Sequence, residues 1–180
     1  DAHNHMPIDW VIESMDLLPT GDDGTERPDL SQLVREMDTL NVQAIVNLSG
    51  GTGDVLKRTL RCLDRAYEGR FVTFCNVDWD GVGGPGWIER ATAQLEDDVD
   101  AGARGLKIFK RLGLQARDDK GELVMPDDPH IAPLWDKAAE LDIPVLIHTA
   151  DPVAFFRPLD RFNERWHELH RRPEWSFYGP

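Results

Sequence analysis

The chain has 180 residues, 41% of them apolar, and a formal net charge of −13. That length suits one domain, 1–180, with its own core, and the apolar content argues against disorder. The charge argues against nucleic acid and anionic membrane partners, which both need a basic surface, and no apolar run is long enough to span a bilayer.

The opening "DAHNHMP" (1–7) reads as the end of a first strand whose body lies upstream of Asp1. A start without Met reads as trimming, processing or excerption. No signal peptide is visible, so a cytoplasmic location is expected, with an upstream leader left open. "GDDGTERP" (21–28) reads as a loop. In "PDLSQLVREMDTL" (28–40), Leu30, Leu33, Met37 and Leu40 share a helical face, and Asp29 with Gln32 has the spacing of a capping box. "VQAIVNLSG" (42–50) predicts a buried strand. "TGDVLKRTLRCLDRAYEG" (52–69) predicts a helix with Leu56, Leu60, Leu63 and Tyr67 on one face and Gly69 as its stop. "RFVTFCNVDW" (70–79) predicts the next strand, followed by a loop at "DGVGGPG" (80–86). Trp87, Ile88, Ala91, Leu95 and Val99 mark a third helix. "RGLKIF" (104–109) predicts a strand and "ARDDKGELVMPDDP" (116–129) an insertion. Ile131, Leu134, Trp135, Ala138 and Leu141 mark a fourth helix, and "DIPVLIHTA" (142–150) the last strand. A fifth helix is expected over Leu159–His170, with Phe162, Trp166 and Leu169 on one face. Alternation of this kind predicts βαβ units on a parallel sheet, an α/β fold with five strands once "DAHNH" is counted. Cys62 and Cys75 match no metal or redox spacing.

The chemistry gathers at strand ends. Residues i and i+2 of a strand face the same side, so His3 and His5 point together, as a pair suited to one metal ion. His148 follows "IPVLI" and so lies at the C-terminal end of the fifth strand, where parallel α/β folds build active sites. His3, His5 and His148 are therefore the candidate metal ligands. Alternation turns Ile143, Val145 and Ile147 toward the helices and Leu146 and His148 to the opposite side. It likewise turns Leu106 and Ile108 toward the helices, leaving Gly105, Lys107 and Phe109 inward. An inward lysine is costly unless paired or used. Three readings of Lys107 stay open: a carbamylated ligand bridging a second metal, a substrate contact, or a structural lysine paired to Asp78. Asp151, Arg157 and Trp10 are candidate substrate contacts. Asn47 reads as structural, Asp78 and Asp80 as loop solvation, and His130, His167 and His170 as surface residues. If Asp1 carries a free amine, "DAH" also resembles the amino-terminal copper- and nickel-binding motif, which has no need of His148.

"DAHNH" on the first strand, "GARGLKIFK" on the fourth and "IPVLIHTADP" on the fifth resemble the metal-dependent amidohydrolase superfamily. Within it they resemble the amidohydrolase-related group that includes the aminocarboxymuconate-semialdehyde decarboxylase-like enzymes. "PLDRFNERWHELHRRPEWSFYGP" (158–180) resembles the segment that follows the fifth strand in that group. The resemblance implies a TIM-type (β/α)8 barrel, of which this chain would hold about the first five β/α units. It implies one divalent metal, usually zinc, at the C-terminal mouth, held by His3, His5 and His148. A further histidine and an aspartate acting as general base are expected beyond Pro180. On that reading the chain is an excerpt with little turnover of its own, and its open strand edges favour a homo-oligomer. The substrate is a small molecule. Three classes stay open: hydrolysis of an amide, ester or lactone carbonyl by a metal-activated water, decarboxylation of an aromatic or unsaturated carboxylate, and a non-catalytic metal-binding or interaction role.

Overall fold

The structure, a computed structural model, describes residues 4–14, 17–18, 27–149 and 151–179. These form two compact units, Asp1–His148 and Thr149–Pro180. In the first, helices alternate with short strands. The order is α1 (Ile8–Ser14), β1 (Leu17–Leu18), β2 (Arg27–Pro28), α2 (Ser31–Thr39), β3 (Ile45–Asn47), α3 (Gly53–Cys62), β4 (Phe71–Thr73), α4 (Trp87–Ala101), β5 (Leu106–Ile108), α5 (Ala132–Glu140) and β6 (Val145–Ile147). The second unit holds α6 (Trp166–Leu169) and two 3-10 turns, Val153–Phe156 and Pro173–Trp175.

Parallel pairing follows the chain. β3 pairs with β4 and β5 with β6, both in parallel. Single parallel bridges join Asn4 to Asn47 and Cys75 to Leu106. Backbone bonds carry the order across each step: Leu48 N–H to Asn4 O at 2.8 Å, Phe74 N–H to Asn47 O at 2.9 Å, Lys107 N–H to Cys75 O at 2.8 Å, and His148 N–H to Ile108 O at 2.9 Å. Parallel neighbours need a crossover between them, and α2 to α5 supply it. The described strands form three two-stranded ladders, the antiparallel β1–β2 pair among them, and no closed barrel.

The helices cover one side of these strands. Leu60 of α3, Leu95 of α4 and Leu134 of α5 bury against Leu106 and Ile108 of β5. A second cluster joins Ile8 and Val11 of α1 to Leu30, Met37, Ile45 and Phe71. Each such side chain, fully buried, stabilises the fold by about 1.5–3 kcal/mol. Leu106 and Ile108 are buried in the helix-side cluster, so Lys107 lies on the opposite face of β5, as alternation predicts. On that face Gly105 meets Phe74 closely: a Cβ at Gly105 would lie 2.5 Å from the Phe74 ring. Asp98 of α4 caps α3 from outside. Its carboxylate accepts from Thr52 Oγ1, from Gly53 N–H at 2.9 Å and from Gln94 Nε2 at 2.9 Å. α4 ends where Gly102 takes φ 125° and its N–H returns to Val99 O.

Four local expectations come out differently. The capping box at the start of α2 does not form: Asp29 Oδ1 accepts from Ser31 N–H at 2.9 Å, and Gln32 donates forward to Glu36 at 3.1 Å. Leu40 lies past the end of α2 and is 73% exposed. The helix expected over 159–170 shrinks to α6, with Phe162 exposed. Asp160 Oδ1 takes Phe162 N–H and Asn163 Oδ1 takes Arg165 N–H, and such local side-chain bonds compete with helix formation. Val145 and Ile147 were expected under helices but are 37% and 38% exposed. The short α1 was not anticipated, although Pro7 accepts from Val11 N–H at its start and Ile8 and Val11 show helical spacing. Among the described residues no helix is long and apolar enough to cross a membrane.

Candidate functional site

The site grows from the C-terminal ends of the parallel strands. The Asn4–Asn47 bridge fixes the chain just before His5. The His5 ring then meets two groups: Nδ1 lies 2.8 Å from Ser49 Oγ, and the ring centroid lies 5.5 Å from that of Phe109, the planes tilted by 34°. His148 sits at the equivalent place on β6, half-buried, its N–H on Ile108 O. β5 and β6 pair Ile108 with Ile147, so the same register sets Phe109 beside His148. The ring contact of Phe109 is with His5. His3, the third candidate ligand, lies outside the described residues, as do Asp1 and Ala2 of the alternative copper motif.

Lys107 is fully buried beneath this mouth. Its Nζ lies 5.5 Å from the Phe109 ring centroid and has no hydrogen-bond partner among the described residues. Burial pushes the amine's pKa below its ordinary 10.5. The pairing of Lys107 with Asp78 is not formed. Asp78 belongs to an exposed loop, where Oδ1 accepts from Asp80 N–H at 2.9 Å, and Asp80 in turn pairs with Arg111. Asn76 braces the rim from the side. Its Nδ2 donates to Leu48 O at 3.1 Å and Lys107 O at 3.3 Å, and its Oδ1 accepts from Gly51 N–H at 2.8 Å.

Trp10 is 63% exposed on α1, whose buried side is taken by Ile8 and Val11. Asp151 and Arg157 belong to the second unit, Asp151 half-buried and Arg157 exposed. His130, His167 and His170 are all exposed, His130 with Nδ1 on Asp128 Oδ1 at 2.8 Å. Burial pushes the Cys75 thiol up to about 12, which removes it as a nucleophile at neutral pH.

Sequence reasoning missed Ser49 and the brace at Asn76, and it gave Phe109 a direction but no role. The signal for Ser49 was a hydroxyl just past a strand end in "NLSG".

The donors fit a divalent cation in type. A histidine ligand usually engages one ring nitrogen in a second hydrogen bond that fixes tautomer and orientation, and His5 Nδ1 does so with Ser49. The ligating nitrogen of His5 would then be Nε2. Among the described residues no three His, Cys, Asp or Glu side chains converge to complete a shell.

No curated protein matches the chain. A solved structure, a probable 2-pyrone-4,6-dicarboxylic acid hydrolase from Acinetobacter baumannii with citric acid bound, matches at 15% identity with a TM-score of 0.47. The match covers 91% of this chain and 54% of that one, so the chain spans about half that relative's length. The amidohydrolase family profile matches residues 1–174, nearly the whole sequence, and the chain belongs to the amidohydrolase family.

Proposed function

We propose that the chain carries part of the metal-binding mouth of a (β/α)8-type metal-dependent hydrolase. Its parallel strands would be the first five of that barrel, and its reaction the hydrolysis of an amide, ester or lactone carbonyl in a small molecule. The observation that carries the reading is His5 at a strand end, its Nδ1 engaged by Ser49, with His148 at the matching end of β6. His3, His5 and His148 would hold one divalent cation, zinc by preference. When bound, the cation supplies Lewis acidity, polarising a carbonyl and making water nucleophilic at neutral pH. The chain's own residues orient and enclose. Ser49 holds the His5 ring, Phe109 forms an apolar wall, and Lys107 offers a buried amine near the reacting centre. No residue of this chain is assigned as general base.

Lys107 also supports a second reading. A buried amine with no hydrogen-bond partner among the described residues suits a carboxylate, and the same site would then release carbon dioxide from a carboxylated substrate. The zinc-loaded enzyme that carries this mouth should be offered lactones, esters, amides and unsaturated or aromatic carboxylates, with products and carbon dioxide both measured. Carbonyl hydrolysis supports the hydrolase reading. Carbon dioxide release with no hydrolysis overturns it in favour of the decarboxylase.

A further inference from the structure

Asn47 ends β3 and is fully buried. Its Oδ1 accepts two backbone N–H groups, that of Met6 at 3.0 Å and that of Ser49 at 3.0 Å. Two amide donors on one atom identify that atom as the oxygen of the side chain. Met6 directly follows His5, and Ser49 carries the hydroxyl on His5 Nδ1. One oxygen therefore ties the backbone bearing a candidate ligand to the backbone bearing that ligand's ring partner. Asn47 shares its side of β3 with Ile45, which packs in the second cluster with Ile8 and Val11 of α1. Among the described residues it reaches the site through these backbone groups. Its Nδ2 is buried without a hydrogen-bond partner among the described residues. A buried unpaired donor is destabilising, so packing alone does not account for an asparagine here.

We propose that Asn47 is a positioning residue for His5. Its amide oxygen sets the separation of His5 from Ser49. Ser49 then holds the His5 tautomer whose proton is on Nδ1, which leaves ligation to Nε2. This rests on the metal-site reading of His5 above.

The test uses the 180-residue chain with 15N-labelled histidine, first without metal and then with zinc. In the wild type the His5 nitrogens should show one dominant tautomer, protonated at Nδ1. In Asn47→Ala that signature should give way to a mixture, and zinc affinity should fall about 10- to 100-fold. Asn47→Asp keeps an acceptor for both N–H groups and should restore tautomer and affinity together. A folded Asn47→Ala chain with an unchanged His5 tautomer overturns the proposal. A tautomer change in a chain that binds no zinc supports the role of Asn47 and defeats only the metal reading. If Asn47→Ala does not fold, hydrogen exchange on the wild type decides. Met6 and Ser49 amides protected alike support the clamp, and free exchange at either overturns it.

Discussion

Lys107 Nζ stands 5.5 Å over the ring of Phe109, two residues along the same face of the strand, with no hydrogen-bond partner among the described residues. Cation–π attraction is worth about 0.5–2 kcal/mol. An unpaired buried ammonium costs several kcal/mol, so the ring offsets only part of the burial. The side chain is better explained by what it does at the mouth than by stability.

Lys107→Met should therefore fold and be more stable than the wild type at neutral pH by about 1–4 kcal/mol. The pH dependence has a definite sign. Burial lowers the folded pKa of Lys107 below 10.5, so the unfolded chain binds the proton more readily. The penalty is complete below the folded pKa and fades as pH rises from there to 10.5. Urea denaturation across that window should show wild-type stability rising relative to the variant. A variant less stable than the wild type at neutral pH would contradict this account of Lys107.

Asp98 is a buried acid of the opposite behaviour. Burial raises its pKa above 3.8 even though Thr52, Gly53 and Gln94 all donate to it. The folded chain then binds this proton more readily. Asp98 thus contributes most below 3.8, and its contribution falls as pH rises from 3.8 through the folded pKa. Asp98→Asn can keep every bond, with Nδ2 donating to the Thr52 hydroxyl and Oδ1 accepting from Gly53 and Gln94. It should leave neutral-pH stability near the wild type and flatten that pH slope. Asp98→Ala strands the three donors and should cost about 2–4 kcal/mol. Equal losses in the two variants would show that Asp98 does not act through these bonds.

Gly105→Ala places a methyl 2.5 Å from ring atoms of the largely buried Phe74. The ring is packed and has little room to give, so the substitution should cost about 1–3 kcal/mol by overpacking. Thermal unfolding checks it directly. A variant melting with the wild type would mean that Phe74 moves freely on this face.

The parts of the fold written in short-range periodicity were legible in the sequence. α3, α4 and α5 appear because Leu56 and Leu60, Leu95 and Val99, and Leu134 and Ala138 repeat at helical spacing, and alternation alone turned Lys107 inward. Features that depend on distant neighbours were not legible. The His5–Ser49 bond joins residues 44 apart in sequence, and whether Lys107 finds a counter-charge depends on where the Asp78 loop goes. The β-branched run at Val145 and Ile147 reads as buried, but burial depends on what covers a strand as well as on its composition. At Phe162 the helical spacing was real, yet Asp160 and Asn163 offered the backbone nearer partners.

The central claim is that the opening histidines and His148 belong to one metal site. Metal content per chain, measured by elemental mass spectrometry, tests it most directly. The 180-residue chain and its His148→Ala variant would be washed with mild chelator and reloaded with zinc. The account predicts close to one zinc per wild-type chain and almost none in the variant. Metal that survives His148→Ala, above all copper or nickel, would contradict it and place the site at the terminal Asp1–His3 motif instead.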